Sequence, residues 1–103
     1  MSTFVNSTAR ISTTHETVYT SAGKSILIGC NLANITGSIL PCDVVLRQST
    51  GDTYVIKNKR VANGESAEVM RGNKLVLHNG DMLLVKTDVA NGFDVILSML
   101  EGV

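Results

Sequence analysis

The sequence predicts an all-β fold: an antiparallel β-sandwich or jelly-roll-like barrel of about seven to nine strands, with an extended N-terminal arm. Three observations predict it. Apolar residues recur with period two, as at Cys42, Val44 and Leu46, which is the side-chain repeat of a strand. Turn signals return roughly every 8–12 residues, the spacing of short strands in sandwiches and barrels. Asn-Gly pairs at 63–64, 79–80 and 91–92 separate the apolar runs. Such pairs favour hairpins because both residues tolerate positive φ. No stretch carries the 3.6-residue apolar repeat of an amphipathic helix.

Taken in order, residues 1–15 are rich in Ser and Thr, with Phe4, Val5 and Ile11 as sparse apolar anchors. A segment of that kind buries little surface by itself. It is expected to be an extended polar arm that orders against a neighbour, ahead of one sandwich domain over 16–103. An edge strand is expected near 16–20, then a turn at Ser21-Ala22-Gly23-Lys24. Residues 25–35 alternate, with Ile26, Ile28, Cys30 and Leu32 on one face and Leu27, Gly29, Asn31 and Ala33 on the other. Thr36-Gly37-Ser38 turns the chain into a strand over 40–47 that places Cys42, Val44 and Leu46 on one face. Pro41 sits at its start, where a missing N–H is tolerated. After Ser49-Thr50-Gly51-Asp52 comes a strand over 53–57, with Tyr54 and Ile56 opposed to Val55. Further strands are expected through Ala67 and Val69, then over 74–78, 82–87 and 93–100.

Several strands are apolar on both faces: Ile26-Leu27-Ile28, Val44-Val45-Leu46, Leu75-Val76-Leu77, Leu83-Leu84-Val85 and Val95-Ile96-Leu97. An antiparallel sheet with one wet face alternates more cleanly than this. Part of an outer face is therefore expected to be covered, either by the arm and irregular strands of the same chain or by another subunit. The expected interface residues are Phe4, Val5, Val45, Val55, Leu84 and Ile96.

Composition narrows the function classes. The 103 residues suit one domain. Hydrophobic residues make up 44 % and charged residues only 17 %, against a usual charged share of about 25 %. Nine Lys and Arg balance nine Asp and Glu, so no net field draws nucleic acid or an anionic membrane. Two Phe, two Tyr and no Trp give few flat platforms for stacking bases or sugars. No apolar run approaches the roughly 18–20 residues of a membrane span. The opening Met1-Ser2-Thr3-Phe4 is not a secretory signal, so synthesis and folding in a cytoplasm are expected.

No constellation of catalytic, cofactor-binding or metal-ligating residues stands out. Cys30 and Cys42 are expected on inward faces as reduced core thiols, although a bridge between them is geometrically allowed. His15 and His78 stand apart from any metal or nucleophile motif. The scattered carboxylates single out no acid–base pair. Asn79-Gly80-Asp81 offers hard oxygen donors for calcium but reads more simply as a turn, with Asp81 bonding back into it. Gly23-Lys24-Ser25 matches only the tail of a phosphate loop, and a strand follows it where a helix is required. Asn6-Ser7-Thr8 and Asn34-Ile35-Thr36 fit the glycosylation pattern, which carries meaning only in a secreted chain. Lys57-Asn58-Lys59-Arg60 is the one basic cluster, with Arg71 and Lys74 nearby. It is a solvated turn or a rim facing an acidic partner.

The chain from 18 to 103 resembles small virion structural proteins of tailed bacteriophages. The resemblance rests on Val18-Tyr19-Thr20-Ser21-Ala22-Gly23-Lys24-Ser25, then Asn31-Leu32-Ala33-Asn34-Ile35-Thr36-Gly37. It continues in Val61-Ala62-Asn63-Gly64-Glu65-Ser66, Lys74-Leu75-Val76-Leu77 with Asn79-Gly80-Asp81, and Val95-Ile96-Leu97-Ser98-Met99-Leu100-Glu101. It implies a non-enzymatic subunit without cofactors, a homo-oligomer (trimeric or higher) that binds other virion proteins as head cement or decoration. Tail, neck or baseplate components and receptor- or glycan-binding accessories are the alternatives. The resemblance also implies a place in the virion after synthesis in the bacterial host. Two cysteines and the polar segment before Val18 depart from the pattern, and an arm there would suit strand addition to a neighbour.

Overall fold

The computed structural model describes residues 2–103 as nine strands in two antiparallel sheets, an all-β sandwich. The strands are β1 (Thr3–Ile11), β2 (Glu16–Thr20), β3 (Ser25–Asn34), β4 (Leu40–Gln48), β5 (Gly51–Val61), β6 (Ser66–Glu68), β7 (Leu75–Leu77), β8 (Met82–Thr87) and β9 (Phe93–Glu101). The first sheet runs β1-β9-β3-β6, with β7 also paired to β3; the second runs β2-β8-β4-β5. Inward residues of both sheets, among them Leu27, Leu32, Val44, Leu83, Phe93 and Leu97, form one core. That layering follows from period two, since each strand offers the core every other side chain.

The expected N-terminal arm is instead, from Thr3 to Ile11, a strand of the domain. It pairs with β9 residue for residue, from Thr3 against Glu101 to Ile11 against Phe93. An edge strand needs apolar residues on one side only. Val5 and Ala9 pack against the core, Ser7 lies between them on the same side, Ile11 is fully buried, and Asn6, Thr8 and Arg10 face out. The Ser7 hydroxyl donates to the Val18 carbonyl at 3.0 Å, fastening this edge to β2 across the sandwich.

The phase of β3 also differs from the expected alternation. A bulge between Leu27 and Gly29, opposite Met99 and Ser98, adds a residue and reverses the faces. Leu27 therefore points inward with Cys30 and Leu32, while Ile26 and Ile28 are half-buried on the outside. In β4 the expected alternation holds: Cys42, Val44 and Leu46 are all core.

The turns follow their chemistry. Gly80 takes a φ of 89°, and the Asp81 carboxylate accepts from the His78 amide at 3.0 Å. The neighbouring turn is tied to this one, because the Asn79 side-chain oxygen accepts from the Gly23 amide at 2.9 Å. The Ser21 amide likewise donates to the Asp81 carbonyl at 2.8 Å.

Candidate assembly surface

The outer face of the first sheet carries a transverse apolar row. Phe4 of β1 lies across from Leu100 of β9, Leu100 from Ile26 of β3, and Ile26 from Val76 of β7. Strands in a sheet lie about 4.8 Å apart, so the row crosses about 14 Å of surface. Phe4 is 74 % exposed and Val76 43 %, while Ile26 and Leu100 are half-buried. Ile96, on the same face of β9, is 45 % exposed. Phe4, Val5, Asn6, Ile28, Ser98 and Met99 line a shallow cleft of about 290 Å³ at one end of the row.

This face holds little unspent charge. Arg10 and Asp94, facing each other across β1 and β9, form a two-pronged pair at 2.8 and 3.3 Å. The guanidinium holds the Asp94 carboxyl below its ordinary value, chiefly through the hydrogen bond. Between the apolar row and that pair, the Ser98 hydroxyl donates to the Asn6 side-chain oxygen at 3.0 Å. The Glu68 carboxylate accepts from the amides of Cys30 (2.9 Å) and Met70 (3.2 Å).

The outer face of the second sheet is different. Arg47 and Asp52 pair at 2.8 and 2.9 Å, Asp43 stands opposite Lys86, and the Lys57 ammonium lies 5.1 Å from the centre of the Tyr54 ring. Val45 and Leu84 face each other there, yet they are only 2 % and 1 % exposed. Both were expected at an interface. Their strands are the two central ones of this sheet, so flanking side chains close over them within the chain.

Of the other expected interface residues, Val5 and Val55 pack against the core. Val5 turns inward on β1. Val55 is drawn in where the β4–β5 register shifts around Val44 and Val45. The structure thus brings Phe4 and Ile96 onto one exposed face and places Val5, Val45, Val55 and Leu84 elsewhere. Sequence reasoning missed Ile26, Ile28, Val76 and Leu100 on that face. The doubled apolar run around Val76 was a usable signal; Ile26 and Ile28 were hidden by the bulge.

Several titratable side chains are engaged structurally. Tyr19 donates its one hydroxyl proton to the Glu101 carboxylate, and its oxygen lies 3.4 Å from the hydroxyl of Ser25, which in turn lies 2.7 Å from that of Ser21. This cluster joins β2 of one sheet to β3 and β9 of the other. Burial, then the bond to Glu101, pushes the Tyr19 phenol above its ordinary value. Cys30 and Cys42 are free and buried. Burial first, then nearby negative charge, pushes both thiols up to about 12, which suppresses the reactive thiolate. His15 and His78 are exposed in separate loops. Among the described residues no three potential metal ligands come together, and the oxygens of Asn79 and Asp81 serve their turns.

No family model and no curated protein matches the chain. Among solved structures, a protein from Bacillus endospore appendages, described as forming a novel family of disulfide-linked pili, is similar to it at 18 % identity and a TM-score of 0.60. The similarity covers 100 % of this chain and 88 % of that one. The fold is shared with a pilus protein. At that identity the likeness concerns the fold alone.

Proposed function

We propose that this chain is a non-enzymatic structural subunit that self-associates through the outer face of its first sheet, as cement or decoration on the surface of a phage particle. The observation that carries the reading is the apolar, charge-compensated face around Phe4, Leu100, Ile26, Val76 and Ile96. A second copy docks there without desolvating a naked charge, which is the main penalty at such a contact. The motifs shared with small virion proteins supply the setting, and the free N-terminal edge strand β1 is a second place where copies can meet.

A second reading, a subunit of an extended appendage, is favoured by the fold shared with a pilus protein. Disulfide linkage of the kind named for that protein does not transfer readily. Both cysteines of this chain lie in the core at 0 % and 1 % exposure, out of reach of a neighbour.

Light scattering with negative-stain imaging of the purified protein tests both readings. Closed oligomers of one size support the particle-surface subunit, and open filaments support the appendage, because a heterologous contact that does not close propagates. A monomer at all concentrations, whose state is indifferent to Ile96→Asp, removes the self-association reading.

A further inference from the structure

The side of the sandwich where the chain crosses from β5 to β6 has a character of its own. Five of the nine Lys and Arg residues lie on β5 or in the segment that follows β6: Lys57, Lys59, Arg60, Arg71 and Lys74. Lys59, Arg60 and Arg71 line one cleft of about 290 Å³ together with Glu65 and Glu68. Among the described residues the ion pairs are Arg10–Asp94 and Arg47–Asp52, both elsewhere. The three cleft cations therefore have no carboxylate partner, and Glu68 is directed to the amides of Cys30 and Met70.

A second, independent observation points to the same place. Arg71 holds a φ of 51° beside Gly72 at 84°. Among the described residues, the other non-glycine positions with positive φ are Asn58 and Asn91, the residue type that tolerates this conformation best. A long basic side chain is thus kept at a strained turn position where asparagine fits more easily, and such strain collects at binding sites. The cleft also borders β5, which pairs only with β4 among the described strands and leaves its other edge open.

We infer that this cleft docks an extended acidic segment of a partner protein, with carboxylates on Lys59, Arg60 and Arg71 and its backbone along the open edge of β5. Strand addition supplies the main-chain hydrogen bonds, and the cations select for acidic side chains. Nucleic acid fits less well. No aromatic residue lines the cleft to stack a base. The inference stands whether or not the chain self-associates through its first sheet.

The test is fluorescence anisotropy of a labelled Glu-Thr repeat peptide of about eight residues, the length of an ordinary strand. A Lys-Thr repeat and a thymidine oligonucleotide of equal length serve as competing probes. The expected result is binding of the acidic peptide that weakens as salt rises. Arg71→Asn, and separately Lys59→Gln with Arg60→Gln, should each reduce it by about tenfold or more. Lys24→Gln with Lys86→Gln, which changes net charge equally outside the cleft, should leave it in place. Arg71→Asn also relieves the turn, so an unchanged or higher melting temperature excludes unfolding as the cause of lost binding. Absence of binding by the acidic peptide, equal or tighter binding of the oligonucleotide, or indifference to Arg71→Asn would overturn the proposal.

Discussion

Phe4 stands directly across from Leu100, and it is the most exposed large apolar side chain of the described residues, at 74 %. It begins the row that runs through Ile26 to Val76. Covering the exposed part of such a ring, roughly 150 Å², contributes about 4 kcal/mol before ordering costs. Phe4 is therefore expected to do more for association than for folding.

Phe4→Asp and Ile96→Asp should dissociate any assembly while lowering subunit stability by no more than about 1 kcal/mol. Leu84→Asp should do the reverse. At 1 % exposure it buries a charge with no partner, and a loss of several kcal/mol is expected. Light scattering and urea unfolding on the three variants separate the two outcomes. An Ile96→Asp protein that unfolds would place that side chain in the core.

Asn34 is a buried polar joint between β3 and the segments around it. Its amide donates to the carbonyls of Ser38 (2.7 Å) and Val61 (3.0 Å), and its side-chain oxygen accepts from the amide and hydroxyl of Thr36 (2.9 and 2.7 Å). Asn34→Ala leaves these groups without their partner. The expected cost is about 2–3 kcal/mol, read as a lower urea midpoint with little change in slope.

Gly92 is required for space. A Cβ there would lie 2.9 Å from Leu40 Cδ1, 3.0 Å from the Val89 carbonyl oxygen and 3.2 Å from Thr87 Cγ2. Gly92→Ala should destabilise by about 1–3 kcal/mol through overpacking. Gly23→Ala meets open space but forces alanine to a φ of 78°, at about 1 kcal/mol. Thermal unfolding of the pair distinguishes crowding from backbone strain, since trimming the neighbour with Leu40→Val should ease only the Gly92→Ala defect.

The two core thiols link stability to alkaline pH. Each ionises near its ordinary value of 9.0 when unfolded but only near about 12 when folded. The unfolded chain therefore binds fewer protons between those values. Stability should be intact below about pH 8.5 and should fall above it, by up to about 1.4 kcal/mol per pH unit for each thiol. Replacing both cysteines with Ala should flatten that limb of the pH profile. Native protein at pH 8 should resist iodoacetamide until denatured, and any assembly it forms should survive reductant.

Much of the strand layout was legible because it depends on local rules. The strand over 82–87 and the edge strand over 16–20 have the expected bounds, since alternation and turn residues act over a few positions. Asp81 closes its turn as its chemistry predicts. The exposed face was only partly legible. Of the residues expected at an interface, Phe4 and Ile96 are exposed on it, whereas Val45 and Leu84 are buried in the second sheet. Whether an outward residue is covered depends on its strand's position in the sheet order, which alternation does not contain.

By itself, then, the sequence determined that this chain folds as short antiparallel strands with Cys42, Val44, Leu46 and their like turned inward. Side-chain period and turn chemistry are properties of neighbouring residues, so no distant contact is needed to read them. Tertiary structure alone decided that the Ser- and Thr-rich segment from Thr3 to Ile11 is a strand, because its backbone partners on β9 lie some ninety residues away. It alone decided that one inserted residue at Ile28 sends two isoleucines outward, where they join Phe4 and Val76. A bulge reverses every side chain beyond it, and only pairing with a particular partner strand fixes where it falls.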